Sequence, residues 1–152
     1  QRPGYMLYGN SPFAEPQANA DQLQPVMSFE SAVISVREIP AGDSVGYGAN
    51  WTAQRQSHIA TVAVGYGDGY PRHAPNGTPV LVNGVKCPLV GRVSMDMITV
   101  DVTDLVNTRA KIGDRVILWG PALPVNEVAA ACNTIGYELL TRMPDRVPRI
   151  YR

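Results

Sequence analysis

Twice in this chain a tyrosine stands between two glycines: "SVGYGANW" at residues 44–51 and "AVGYGDGYPR" at residues 63–72. Glycine has no Cβ, so such a stretch can bend sharply, approach a neighbouring backbone closely and present the phenol to a ligand. The competing reading has the glycines serving turns and the tyrosines packing at a rim, and spacing alone favours it. Neither stretch is a dinucleotide-binding fingerprint, because "GYGDGY" lacks the G-x-G-x-x-G spacing and no strand-to-helix pattern surrounds it. His58, His73, Cys87, Asp96 and Asp101 are metal-ligand types, but their spacings match neither zinc nor EF-hand patterns, and hydrogen-bonding roles are expected. "GRVSMDM" sets Arg92, Met95 and Asp96 side by side after a strand pattern. By residue type alone they read as an ion pair and a core methionine. "RVPR" at 146–149 reads as an ordinary basic strand end.

The elements that must position these residues are mostly short strands. The 152 residues are 45% hydrophobic with zero formal net charge, which suits one domain and argues against nucleic acid or an anionic membrane as partner. No apolar run is long enough to cross a bilayer as a helix. Two cysteines, Cys87 and Cys132, make no disulfide framework and point to a reducing compartment. With 14 glycines and 13 prolines the chain is rich in turns. Near-alternating apolar residues predict a strand over 27–38. The apolar run 58–67 predicts a buried strand, and shorter strands are expected near 97–105 and 113–120. Asn83-Gly84 between β-branched runs predicts a type I′ hairpin. Val128, Cys132 and Ile135 fall at helical spacing, with Asn126 as candidate N-cap and Gly136 as candidate C-cap. Residues 137–143 are read as adding a turn or two of helix, residues 146–152 as a closing strand, and residues 2–9 as a strand belonging to something larger. Residues 11–24 read as a linker. Many short strands and little helix predict a barrel or sandwich.

Four separated motifs, "RPGYMLYG", "AGDSVGYGANW", "VGYGDGYPR" and "VGRVSMDM", followed by "YELLTRMPDRVPR", occur in the order and approximate spacing of bacterial alanine racemases. The chain resembles that family over essentially its whole length. The resemblance implies a mainly β, barrel-like C-terminal domain with one or two short helices, preceded by the last strand of a (β/α)8 barrel that carries pyridoxal 5′-phosphate. It divides the chain into a barrel remnant (1–12), a linker (13–24) and the β domain (25–152). Neither Lys86 nor Lys111, the only lysines, lies in the family's cofactor-lysine motif.

Residue roles follow from the resemblance alone. Tyr47 matches the catalytic tyrosine that takes the α-proton of L-alanine. Tyr66 matches a tyrosine at the substrate entrance, with Arg72 nearby. Met95 matches the residue whose backbone meets the substrate carboxylate, and Asp96 is its neighbour. Arg2 matches the arginine facing the pyridine nitrogen, Gly4 and Tyr5 match backbone donors to the cofactor phosphate, and Tyr137 matches a hydroxyl on that phosphate. The family more often carries an aliphatic residue where Tyr5 stands. The resemblance further implies a cytoplasmic homodimer with active sites at the subunit interface, alanine as substrate, and D-alanine supply for peptidoglycan. It implies no metal, nucleic acid or membrane. Two alternatives stay open: a β domain acting only as a dimerisation or binding module, and a racemase of broader amino-acid specificity.

Overall fold

The computed structural model describes residues 1–13, 15–105 and 109–151. Its centre is a six-stranded antiparallel sheet: β1 (Phe29–Ile39), β4 (Ser57–Val62), β5 (Pro79–Val82), β6 (Val85–Pro88), β7 (Ile98–Asp101) and β8 (Arg115–Trp119), in the order β6-β5-β8-β1-β4-β7. The edge strands β6 and β7 meet where Leu89 bridges Val100 and Val90 N–H donates to Thr99 O at 2.9 Å. The sheet therefore curls into a nearly closed barrel, which leaves little free edge to aggregate. A two-residue pair, β2 (Ser44–Val45) with β3 (Trp51–Thr52), forms a small separate hairpin.

Alternation explains the inner face. Val80 and Val82 of β5, Ile98 and Val100 of β7, and Val116 and Leu118 of β8 all point into one core. β1 breaks the alternation because it bulges twice, between Phe29 and Glu30 against β8 and between Val33 and Ser35 against β4. Each extra residue re-phases the strand, so only Phe29, Val33 and Ile39 are buried on it. The expected hairpin is present: Val82 pairs with Val85, and Asn83 (φ 50°) and Gly84 (φ 81°) take the two positive φ values a type I′ turn requires.

Two short helices close one end. α1 (Val125–Ala131) buries Val125, Val128 and Ala129, and α2 (Gly136–Thr141) buries Leu139. Trp119 joins sheet to helices, with Phe29 at 4.7 Å and Tyr70 at 6.3 Å between ring centroids. Burying side chains of this size stabilises by roughly 1.5–3 kcal/mol each. Tyr70, the second tyrosine of "GYGDGY", is therefore core, and burial pushes its phenol far above the ordinary range.

Four local expectations are corrected. Residues 2–9 are not a strand: Gly4–Tyr8 form a 3-10 turn, started by Pro3 at φ −64° and closed by left-handed Gly9, whose N–H reaches Met6 O. Gly136 does not end α1; Cys132 does, followed by left-handed Asn133, and Gly136 instead opens α2. Asn126 lies inside α1, where Pro124 takes the N-cap position. Residues 146–151 are irregular rather than a strand.

Candidate active site

Both tyrosine turns are 3-10 turns, and both rest their glycines on the segment between β6 and β7 that contains "GRVSMDM". The first, Tyr47–Ala49, sits at the tip of the β2–β3 hairpin. Gly46 (φ 81°) and Gly48 (φ 73°) are left-handed, and a Cβ on Gly46 would lie 2.8 Å from Arg92 N. The Arg92 guanidinium lies 3.9 Å from where a Cβ of Gly48 would stand. Tyr47 itself is 72% exposed. The result is a projecting phenol on a short, tightly bent arm whose Gly48 lies against the Arg92 guanidinium.

The second turn, Tyr66–Asp68, follows β4. Gly65 is extended, not left-handed, and a Cβ there would come within 2.3 Å of both Ser94 O and Met95 O. The turn is stitched to that loop by Tyr66 N–H to Ser94 O (3.0 Å) and Gly67 N–H to Met95 O (2.8 Å). Gly65 N–H donates to the Asp68 carboxylate at 2.9 Å. Arg72 lies over the Tyr66 ring, 5.9 Å from its centroid, within cation–π range. Met95 and Asp96 are exposed on the loop.

A residue outside the expected set holds these pieces together. Arg146 Nε donates to Asp68 Oδ1 at 2.8 Å, and its Nη2 donates to Asp96 Oδ1 at 2.6 Å. Asp68 stands in plain sight inside "GYGDGY". Arg146 does not, because its partners are 78 and 50 residues away.

The second cluster gathers the residues at the start of the chain with α1 and α2. Tyr5 and Tyr137 stack with centroids 4.2 Å apart and planes 17° from parallel. The Tyr5 hydroxyl donates to Asn126 Oδ1 at 2.5 Å, and Asn126 Nδ2 donates to Ser11 O. Gly136 makes this possible, since a Cβ there would fall 1.8 Å from the Tyr5 oxygen. Burial, with Tyr137 as a smaller cause, pushes the Tyr5 phenol up to about 12. Tyr137 keeps 44% of its surface exposed beside a cleft of about 220 Å³. Gly4 (φ +51°) opens the 3-10 turn, and no atom lies within 4 Å of a Cβ placed on it. Arg2 is exposed at the same end.

The two clusters meet opposite ends of α2. Tyr137 is in its first turn, whereas a Cβ on Gly69, just past the Tyr66 turn, would lie 2.7 Å from Arg142 O at its C-cap. Six residues of helix rise roughly 9 Å, so the clusters are neighbours but separate. Among the described residues no group of three metal-ligating side chains forms, and no helix is long and apolar enough to cross a membrane. Cys87 and Cys132 are free and buried.

A barrel-like β domain that displays two tyrosine turns and a loop at one place, and a stacked tyrosine pair at another, is built to contribute to a larger site. Residues 26–151 match the alanine racemase C-terminal domain family. The chain is 59% identical over 150 residues to an alanine racemase of Stutzerimonas stutzeri, covering 99% of this chain and 41% of that protein. It superposes on the crystal structure of biosynthetic alanine racemase from Pseudomonas aeruginosa with TM-score 0.91 and 55% identity, covering 97% of this chain and 40% of that one. A structure of alanine racemase from Bartonella henselae with covalently bound pyridoxal phosphate matches at TM-score 0.88 and 41% identity, over 97% of this chain and 40% of that one. This chain belongs to the alanine racemase family and comprises its C-terminal domain. It spans about two fifths of the length of these relatives.

Proposed function

We propose that this chain supplies the C-terminal part of an alanine racemase, interconverting L- and D-alanine and so providing D-alanine for peptidoglycan. The observation that carries the reading is that the turns bearing Tyr47 and Tyr66 both pack on one short segment, the first on Gly91 and Arg92 and the second on Ser94 and Met95. Racemisation moves a proton off one face of Cα and onto the other. Tyr47 is the proton acceptor on one face, and a base outside this chain serves the other. A free phenol titrates at about 10, so a tyrosine base at neutral pH requires a cation near its oxygen. Tyr66 and Arg72 guard substrate entry, and the Met95 backbone with Asp96 beside it meets the substrate carboxylate.

The second cluster fits the phosphate end of pyridoxal 5′-phosphate. Its donors are the type an anion needs: the Tyr137 hydroxyl and the first N–H groups of the 3-10 turn at Gly4 and Tyr5, which a helix start leaves without intrahelical acceptors. Arg2 would face the pyridine nitrogen, to which its guanidinium, having no acceptor, can only donate hydrogen bonds. When bound, the cofactor withdraws electron density from Cα and acidifies its proton. The separation of the clusters along α2 supports a homodimer in which Tyr47, Tyr66 and Met95 serve the partner's cofactor while Arg2, Gly4, Tyr5 and Tyr137 serve their own. In this reading residues 1–12 belong to a preceding cofactor-binding barrel, residues 13–24 are a connector and residues 25–152 are the β domain. The two buried thiols fit the reducing cytoplasm.

The test is L-alanine racemisation, followed by circular dichroism, in the full protein that contains this chain, before and after Tyr47→Phe. Racemisation lost with the hydroxyl supports the reading. A wild-type protein that racemises other amino acids as fast as alanine shifts it to the broader-specificity class, and no racemisation of any amino acid leaves the binding module.

A further inference from the structure

We infer that Arg146 is a positioning residue for substrate binding, setting the loop that carries Met95 against the Tyr66 turn; this rests on the racemase reading above. Its guanidinium forks between the two carboxylates, Asp68 on the turn and Asp96 on the loop. Asp68 in turn accepts from Gly65 N–H, so on the turn side the arginine is coupled through it to the backbone, while on the loop side it holds the Asp96 carboxylate. The guanidinium also lies close against Gly67: a Cβ there would stand 3.1 Å from Arg146 Nη1 and 3.0 Å from Met95 O. Only the planar fork of arginine reaches two carboxylates in this way; a lysine is a single point donor. Pairing with the Asp96 and Asp68 carboxylates raises the Arg146 pKa, so the clasp stays charged across the working pH range.

Magnitudes separate positioning from stability. The Arg146 side chain is 45% exposed, and exposed ion pairs contribute only about 0–1 kcal/mol. The barrel core does not depend on it. Displacing a substrate-binding backbone by about 1 Å, however, can cost roughly 10²-fold in rate. Arg146 therefore matters far more to geometry than to folding.

The experiment uses the full protein with Arg146→Ala and Arg146→Lys, and three readouts. In steady-state kinetics with L-alanine, Arg146→Ala is expected to raise KM about tenfold and lower kcat less, with thermal stability nearly unchanged. Millimolar guanidinium is expected to restore KM in the alanine variant. Arg146→Lys, reaching one carboxylate only, should stay near the alanine variant. In hydrogen exchange, the Tyr66 and Gly67 amides should exchange faster in Arg146→Ala while amides of the barrel strands do not. A wild-type KM in Arg146→Ala or Arg146→Lys, or unchanged exchange at Tyr66 and Gly67, overturns the inference. A large fall in melting temperature with normal KM for the folded fraction also overturns it, because the role is then structural. If wild type fails to racemise alanine, the functional reading falls, and the exchange result still decides whether Arg146 sets the seam.

Discussion

The two glycine–tyrosine turns share a sequence and differ in almost everything else. Around Tyr47 both glycines have positive φ; Gly46 also needs space, with Arg92 N 2.8 Å from its would-be Cβ, but at Gly48 conformation is the whole need, since nothing lies nearer than 3.9 Å. Around Tyr66 the need is space: Gly65 is extended, a conformation any residue adopts, but its would-be Cβ collides with two carbonyl oxygens. The first turn projects its phenol from a two-strand hairpin. The second is tied down by two backbone hydrogen bonds, an aspartate and an arginine. A repeated motif thus yields one projecting arm and one braced wall, because the neighbours differ.

The largest test of that contrast is kinetic. In the full protein, Tyr47→Phe should lower racemisation by about 10²–10⁴-fold, or roughly 3–5 kcal/mol. Tyr66→Phe should act on KM with little change in proton transfer. A deuterium isotope effect on α-proton removal, taken in each direction, reads the difference. If Tyr66→Phe abolishes abstraction and Tyr47→Phe does not, the two roles are interchanged.

The glycines sharpen it next. Gly65→Ala must push the Met95 loop away, and overpacking of this kind costs on the order of 3 kcal/mol. Gly48→Ala meets only the Arg92 guanidinium, at an ordinary contact distance of 3.9 Å, and adds left-handed strain of about 1 kcal/mol; Gly48→Asn should recover part of that. Urea denaturation of the four proteins would break the distinction between conformation and space if both alanine variants lost the same stability.

A third glycine–tyrosine contact, Gly136 against Tyr5, extends the comparison to pH. The folded-state pKa of Tyr5 is raised to about 12 from an ordinary value of 10.0. The folded state therefore holds its proton more tightly than the unfolded state. The associated stability is fully present below about pH 10 and is lost as pH rises through about 12. Tyr5→Phe has no such proton to lose. It should be the less stable protein at pH 9, from the lost Asn126 bond, with the gap to wild type narrowing by pH 11. A constant gap in denaturation midpoints would count against the buried hydroxyl.

The smallest effect belongs to Arg72. Its cation–π contact exists at Tyr66, so Arg72→Gln should cost about 0.5–1 kcal/mol in thermal denaturation and leave Tyr47 chemistry untouched. A strong loss of proton transfer in that variant would tie Arg72 to the wrong turn.

Much of this was legible in the order of residues. Local chemistry determined the Asn83-Gly84 hairpin, the alternating faces of β7, and the helical spacing of Val128 and Cys132, because turn dihedrals and side-chain periodicity act within a few residues. The motifs around Tyr47, Tyr66 and Met95 were readable only through their resemblance to a family, because spacing alone favours turns and rim packing there. Only tertiary structure decided the rest. Residues 2–9 are apolar enough for a strand, but Pro3 and Gly9 favour a closed turn, and no neighbouring strand pairs with them among the described residues. Gly136 looked like a helix end, and became a helix start because the Tyr5 ring fills the place of its Cβ. Arg146 looked like a basic surface residue until folding brought it between two carboxylates far away in the chain. Periodicity and turn propensity are local quantities; steric exclusion and charge pairing across 50 or more residues depend on which surfaces the barrel brings together.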